Sequence, residues 1–199
     1  MDDSAARDEI VRYGRALWDR RLVTGTSGNI SVRLDDGDIL VTPAGTSLGS
    51  LLCEHIVRTD RTGVVRDRGR HPTSELPLHL AAYGARADVA AVVHSHPTFC
   101  VVWSKLETTL PRDTVGASET LGEVACTPYR APGSQELAEI TAVEFARGID
   151  SVIMARHGLS TVGACLEDAF MRSDLAEEAA RIAYFCRLAL GETASRSPR

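Results

Sequence analysis

Two short apolar segments joined by an acidic four-residue turn constrain this chain most. Ile30–Leu34 alternates apolar and polar residues, Asp35-Asp36-Gly37-Asp38 has the composition of a tight turn, and Ile39–Thr42 returns as a second strand ending at Pro43. Strands joined this closely pair antiparallel, because a parallel neighbour needs a crossover of about a dozen residues or more. Further strands are predicted as a pair over 56–66 around Asp60–Gly63, and at Val89–His94, Val124–Pro128 and Ser151–Ala155. Helices are predicted over 4–22, with Ile10, Val11, Tyr13, Leu17 and Trp18 at near-helical spacing, and over Leu166–Gly191. Two more are expected, one opening at Pro72-Thr73-Ser74-Glu75 and stopping near Gly84, the other running from a Ser134 cap to Gly148. Residues 97–106 read as helix or loop, and 107–122 follow neither period. The expectation is one α/β domain over 1–199 with a largely antiparallel sheet and a disordered tail at 192–199.

Composition removes several classes of function. The net charge of −5 and the interleaving of arginines with acids leave no basic patch for nucleic acid, and 5% aromatics offer little for base stacking. Five cysteines, an odd number without a CxxC, argue against a disulfide framework and against a thiolate zinc cluster. The first residues, MDDSAARDEI, lack the apolar core of a signal peptide, and no apolar run approaches the ~20 residues of a membrane helix. A cytoplasmic protein without membrane or nucleic-acid partners is expected.

His94-Ser95-His96 follows directly on the apolar run Ala90-Ala91-Val92-Val93. Strand side chains repeat every two residues, so both imidazoles face one side and can chelate one ion. His157 also sits just past an apolar strand and is the best candidate for a third ligand, with Gly158 giving the backbone freedom to turn. Three histidines on a sheet edge form an open site for a divalent metal, zinc first, with manganese(II), cobalt(II) or iron(II) as alternatives. The competing reading is that they are ordinary polar residues at strand ends. Glu75 is open in the same way: a helix-capping carboxylate, or a general base or fourth ligand beside the metal. His55, His71 and His79 read as surface or supporting residues. Thr26-Ser27-Gly28-Asn29-Ile30-Ser31, Thr42-Pro43-Ala44-Gly45-Thr46-Ser47 and the Thr73-Ser74 helix start are hydroxyl- and glycine-rich segments able to present N–H and O–H groups to an anion.

These pieces, with Thr127-Pro128-Tyr129 and Arg156-His157-Gly158, occur in an order that resembles the class II aldolase/adducin family over nearly the whole chain. The resemblance implies a three-layer α/β/α fold around a mostly antiparallel sheet, and a homotetramer with active sites at subunit interfaces. It implies His94, His96 and His157 as zinc ligands and Glu75 as the catalytic acid/base. Asn29, Gly45, Thr73 and Ser74 match positions that hold substrate phosphate. The implied activity is a carbon–carbon lyase, first an aldolase cleaving a small ketose 1-phosphate to dihydroxyacetone phosphate and an aldehyde through a zinc-stabilised enediolate. Decarboxylation of a 3-oxo sugar-acid phosphate or a dihydroxy-aromatic acid is the alternative, ahead of a sugar-phosphate 4-epimerase or a non-catalytic adducin-like module. No Schiff-base lysine is required, and the chain has one lysine, Lys105. The chain departs from the family at Ala44, where a hydroxyl residue is common, leaving Thr46 or Ser47 to replace it or a different substrate to be bound. It also lacks a tyrosine in 107–122, where the sugar-phosphate aldolases carry one that serves a neighbouring subunit; Thr114 and Val115 stand near that place.

Overall fold

The computed structural model describes residues 2–67, 69–106 and 109–191; the expected disorder of 192–199 lies outside the described residues. Twelve principal elements follow in the order α1 (Asp3–Asp19), β1 (Asn29–Arg33), β2 (Ile39–Val41), β3 (Val57–Thr59), α2 (Leu76–Ala85), β4 (Ala91–Ser95), α3 (Thr98–Trp103), β5 (Val124–Thr127), α4 (Gln135–Ala146), β6 (Ser151–Met154), β7 (Gly158–Gly163) and α5 (Leu166–Ala189). The strands form one sheet in the order β3-β2-β1-β4-β7-β6-β5. Five of its six pairings are antiparallel, and only β5–β6, connected through α4, is parallel.

Period-two alternation splits the core into two layers. Ile30, Val32, Leu40, Ala91 and Val93 point to one face and pack against Ile10 and Leu17 of α1 and Leu166, Ala169 and Phe170 of α5. Further along that face, α3, α5 and the turn at Ala117–Leu121 cover Ile153 and Leu159. Ile39, Val92, Val152 and Val162 point to the other face, under Ala82 and Tyr83 of α2 and Phe145 of α4. This is the three-layer α/β/α arrangement, and each fully buried Leu, Ile, Val or Phe contributes about 1.5–3 kcal/mol to holding it.

Several local expectations change. The first helix ends at Asp19 rather than 22, because Arg21 takes a left-handed φ of 59°. Leu22 N bonds Leu17 O at 2.9 Å and Arg21 N bonds Trp18 O at 3.0 Å, the double closure of a Schellman end, which turns Leu22 and Val23 back into the core. Of the pair expected over 56–66, β3 forms and its return is a single bridge, Thr59 to Val65. The segment 97–106 holds the helix α3. The sequence reading has no strand at 158–163, yet β7 lies at the centre of the sheet between β4 and β6. Its composition, Gly-Leu-Ser-Thr-Val-Gly, carries no alternation because both faces are covered.

Candidate metal and substrate site

The site lies where β1, β4 and the β6–β7 turn end beneath the start of α2. Asn29 and His94 are direct partners across β1 and β4. His94 shares the face of Val92, so its ring runs toward α2 and is fully buried. His96, two residues on, keeps the same side but has left the strand. The β6–β7 turn brings His157 up from the other flank: Arg156 adopts φ 63°, and His157 N bonds Met154 O at 3.0 Å. The sharp turn therefore falls on Arg156 and not, as the sequence suggested, on Gly158. Gly158 meets a different demand. A Cβ there would stand 2.4 Å from Ser95 O, 3.0 Å from His96 and 3.1 Å from His94, so only glycine lets the two histidine-bearing segments close up.

The three imidazoles converge. Their ring centroids are 4.8, 4.8 and 5.1 Å apart, and one ligand atom from each falls within 4.8 Å of the others. His94 Nδ1 is 3.0 Å from Leu159 O and must donate to it, since a carbonyl only accepts. Its Nε2 is therefore a bare lone pair, and it lies 2.9 Å from His96 Nε2. Burial holds all three rings in the neutral form, His157 down to about 4 and His94 well below the usual range, where the neighbouring rings add to burial. Neutral imidazoles whose ligand nitrogens gather this closely suit a divalent cation, and His157 Nδ1 is buried without a hydrogen-bond partner.

Glu75 stands at the start of α2, where the capping reading placed it, but its side chain makes no capping hydrogen bond. It turns inward instead, with Oε1 3.9 Å from His157 Nε2 and Oε2 buried without a partner. That spacing is too long for a hydrogen bond, and His157 is neutral, so the pair is no ion pair. Burial raises the Glu75 carboxyl above its ordinary range, with the Gly133 backbone pulling more weakly the other way. A carboxylate held this dry beside three neutral imidazoles is poised either to take a cation or to carry a proton.

A cleft of about 250 Å³ opens from these residues and is also lined by Thr26, Ser27, Gly28, Asn29, Ala44, Gly45, Thr73 and Ser74. Backbone pairing fixes the two loops: Ala44 N donates to His71 O, and Thr73 N donates to Thr42 O. Gly45 is left-handed at φ 71° and Ser74 is exposed. Thr73 Oγ1 accepts from Glu75 N at 3.2 Å, which leaves its hydroxyl proton for a ligand. All eight residues expected at the site thus share one cleft. Thr46 and Ser47 do not line it. Thr46 faces a neighbouring cavity with Arg70 and His71, and Ser47 caps the turn at Leu48–Ser50. Neither replaces the hydroxyl absent at Ala44. Val115 lies 72% exposed, outside this cleft.

His79 is not a surface residue. It is fully buried and reaches Asn29 and Ser31. The signal was present in the sequence, since Asn29 and Ser31 share a strand face while His79 and Tyr83 share a helix face at i, i+4; only the packing of α2 on β1 showed that the two stripes meet.

The Class II Aldolase and Adducin N-terminal domain model matches residues 8–184. The chain is 36% identical over 177 residues to an L-fuculose phosphate aldolase of Methanococcus maripaludis, covering 88% of this chain and 94% of that one. It is 33% identical over 187 residues to a 3-oxo-tetronate 4-phosphate decarboxylase of Haemophilus influenzae, covering 92% and 88%. The solved structure of an L-fuculose 1-phosphate aldolase superposes with a TM-score of 0.83 at 30% identity, over 100% of this chain and 92% of that one. By sequence and by fold, the chain belongs to the class II aldolase/adducin family.

Proposed function

We propose that this chain is a metal-dependent carbon–carbon lyase, an aldolase that splits a small ketose 1-phosphate into dihydroxyacetone phosphate and an aldehyde. The observation that carries the reading is the make-up of the cleft: His94, His96, His157 and Glu75 share it with hydroxyls, an amide and glycine backbone. The reading takes the first group as the metal end and the second as the phosphate end. His94, His96 and His157 would hold the cation, zinc by the imidazole donor set, with Glu75 at its edge. A cation there supplies Lewis-acid polarisation of a substrate carbonyl and charge to offset the negative charge that develops as the bond breaks.

The chain's own residues do the rest. Asn29, Gly45, Thr73 and Ser74 bind and orient the phosphate, fixing which carbon lies beside Glu75. Glu75, kept dry, moves a proton to or from that carbon. The three relatives described above are all named for phosphorylated substrates, which supports the phosphate assignment. Free cysteines at positions 53, 100, 126, 165 and 186 suit a reducing cytoplasm, and no described helix is long and apolar enough to cross a membrane. The reading further takes 1–199 as one domain and the active form as a homotetramer, which the mass in solution tests.

A second reading, decarboxylation of a 3-oxo sugar-acid phosphate, draws on a specific feature: 107–122 contains no tyrosine to protonate a leaving fragment, and carbon dioxide leaves without needing a proton. One substrate panel separates the two. Dihydroxyacetone phosphate with a set of aldehydes should give new ketose phosphates; no condensation, with carbon dioxide released from a 3-oxo acid phosphate, would replace the first reading by the second.

A further inference from the structure

Behind Asn29 runs a chain of four polar side chains. His79 Nε2 lies 2.6 Å from Asn29 Oδ1, His79 Nδ1 lies 2.6 Å from Ser31 Oγ, and Ser31 Oγ lies 2.7 Å from Tyr83 Oη. Ser31 and His79 are fully buried, and Asn29 and Tyr83 nearly so. A neutral imidazole donates from one nitrogen and accepts at the other, so the chain has two head-to-tail directions; a variant of the second, in which Ser31 accepts from both neighbours, strands the Ser31 proton instead. In the first, Tyr83 donates to Ser31, Ser31 donates to His79 Nδ1, and His79 Nε2–H donates to Asn29 Oδ1. In the second, the Asn29 amide is flipped and donates to Nε2, Nδ1–H donates to Ser31, and Ser31 donates to Tyr83.

The second direction strands a proton. Tyr83 Oη would accept from Ser31 while its own O–H, nearly buried, faced no acceptor; Ser31 is its hydrogen-bond partner among the described residues. A buried donor without an acceptor is expensive, whereas the first direction uses every donor and every acceptor once. Burial alone holds His79 neutral, which both directions need. The first direction has a consequence at the cleft. The Asn29 carbonyl is tied inward, and the amide can offer only N–H donors to whatever enters.

We propose that His79 is a positioning residue, braced by Ser31 and Tyr83, that locks the Asn29 amide with its NH₂ toward the substrate, so that this end of the cleft accepts an anionic oxygen and rejects a donor. The proposal rests on the reading of this end as the phosphate end. It makes the selectivity of Asn29 a property of the protein interior: an asparagine free to flip would serve a hydroxyl as readily as a phosphate.

The test uses zinc-loaded protein with ¹⁵N-labelled histidine. The His79 resonances are assigned by their loss in His79→Gln. The expected result is a neutral ring with the proton on Nε2 and an accepting Nδ1, and the opposite tautomer would overturn the proposal. Titration with inorganic phosphate gives the second readout. Ser31→Ala, which leaves Nδ1 without its donor, should weaken phosphate by about 3- to 10-fold and raise KM more than it lowers kcat; Asn29→Ala should weaken it by about 10-fold or more. His79→Gln keeps an N–H donor at the ring's place and should retain more affinity than His79→Leu. Where His79→Leu fails to fold, the tautomer and Ser31→Ala still decide. If Asn29→Ala binds phosphate as the parent does, the phosphate reading of this end has failed and the proposal with it. If Asn29→Ala weakens binding and Ser31→Ala does not, the phosphate reading stands and the lock on Asn29 is overturned.

Discussion

Two buried polar clusters meet beneath the start of α2, and they are built on opposite terms. In the chain from Asn29 through His79 and Ser31 to Tyr83, donors and acceptors match one to one. In the group of His94, His96, His157 and Glu75, ring nitrogens crowd together, with the Nε2 atoms of His94 and His96 2.9 Å apart, and His157 Nδ1 and Glu75 Oε2 are buried with no partner at all. Both hold neutral histidines, for different reasons. Burial alone drives His79 down to about 3, while His94 is also pressed by its two histidine neighbours. The lesson is that a satisfied buried network holds a shape, whereas an unsatisfied one a few ångströms away, costly in isolation, marks where a ligand must complete the site.

The largest effect should come from emptying the unsatisfied cluster. His94→Ala should reduce bound metal from about one per chain to near none, read by elemental analysis. The loss should exceed the about 10- to 100-fold typical of disturbing only a residue behind a ligand. Gly158→Ala reaches the same end without removing any donor, because its Cβ would collide with Ser95 O and two histidine rings. Full metal content in both variants would show that these imidazoles are not the ligands. Glu75→Gln comes next. It should keep the metal and lower turnover by about 10²- to 10⁴-fold, the usual range for a positioned acid or base; turnover unchanged in metal-replete Glu75→Gln would remove the carboxylate from the chemistry.

The satisfied cluster is probed by acid. His79 titrates near its ordinary value of about 6.5 when unfolded and at about 3 when folded. The unfolded chain therefore binds the extra proton between those limits. The stability this contributes is complete above about pH 6.5 and is lost as pH falls toward 3, on the order of 4–5 kcal/mol over the whole window. Denaturant unfolding at several pH values should show a slope shallower by up to one proton in His79→Gln than in the parent, and equal slopes would place His79 in contact with water. The smallest effect lies between the clusters, at Ala44. Ala44→Ser adds a hydroxyl at the rim of the cleft and should lower KM for a phosphorylated substrate by up to about 10-fold, the worth of one hydrogen bond to a charged group. An unchanged KM would place the phosphate away from this loop.

Much of this was legible without a structure because it is local. The apolar run before His94, the turn between Ile30–Leu34 and Ile39–Thr42, and the cap at Ser134 each depend on residues close in sequence. The order of short motifs from Asn29 to His157 indicated the family, and with it the candidate ligands and Glu75. What was not legible depends on contacts between distant segments. The central strand β7 has no alternation to read, since both of its faces are covered. The left-handed turns at Arg21 and Arg156 lack the glycine that usually marks them. Glu75 has the position of a cap, and only the fold turns its carboxylate toward His157.

His79 shows the division most plainly. The sequence by itself determined the two periodic stripes, the metal-binding residue types and the glycines that the loops require, because strand and helix periods and φ preferences act within a few residues. Tertiary structure alone decided that one stripe would close over the other, excluding water from His79 and from Glu75 alike. Desolvation is a property of what surrounds a group, and 48 to 50 residues separate His79 from the Ser31 and Asn29 side chains it meets on β1.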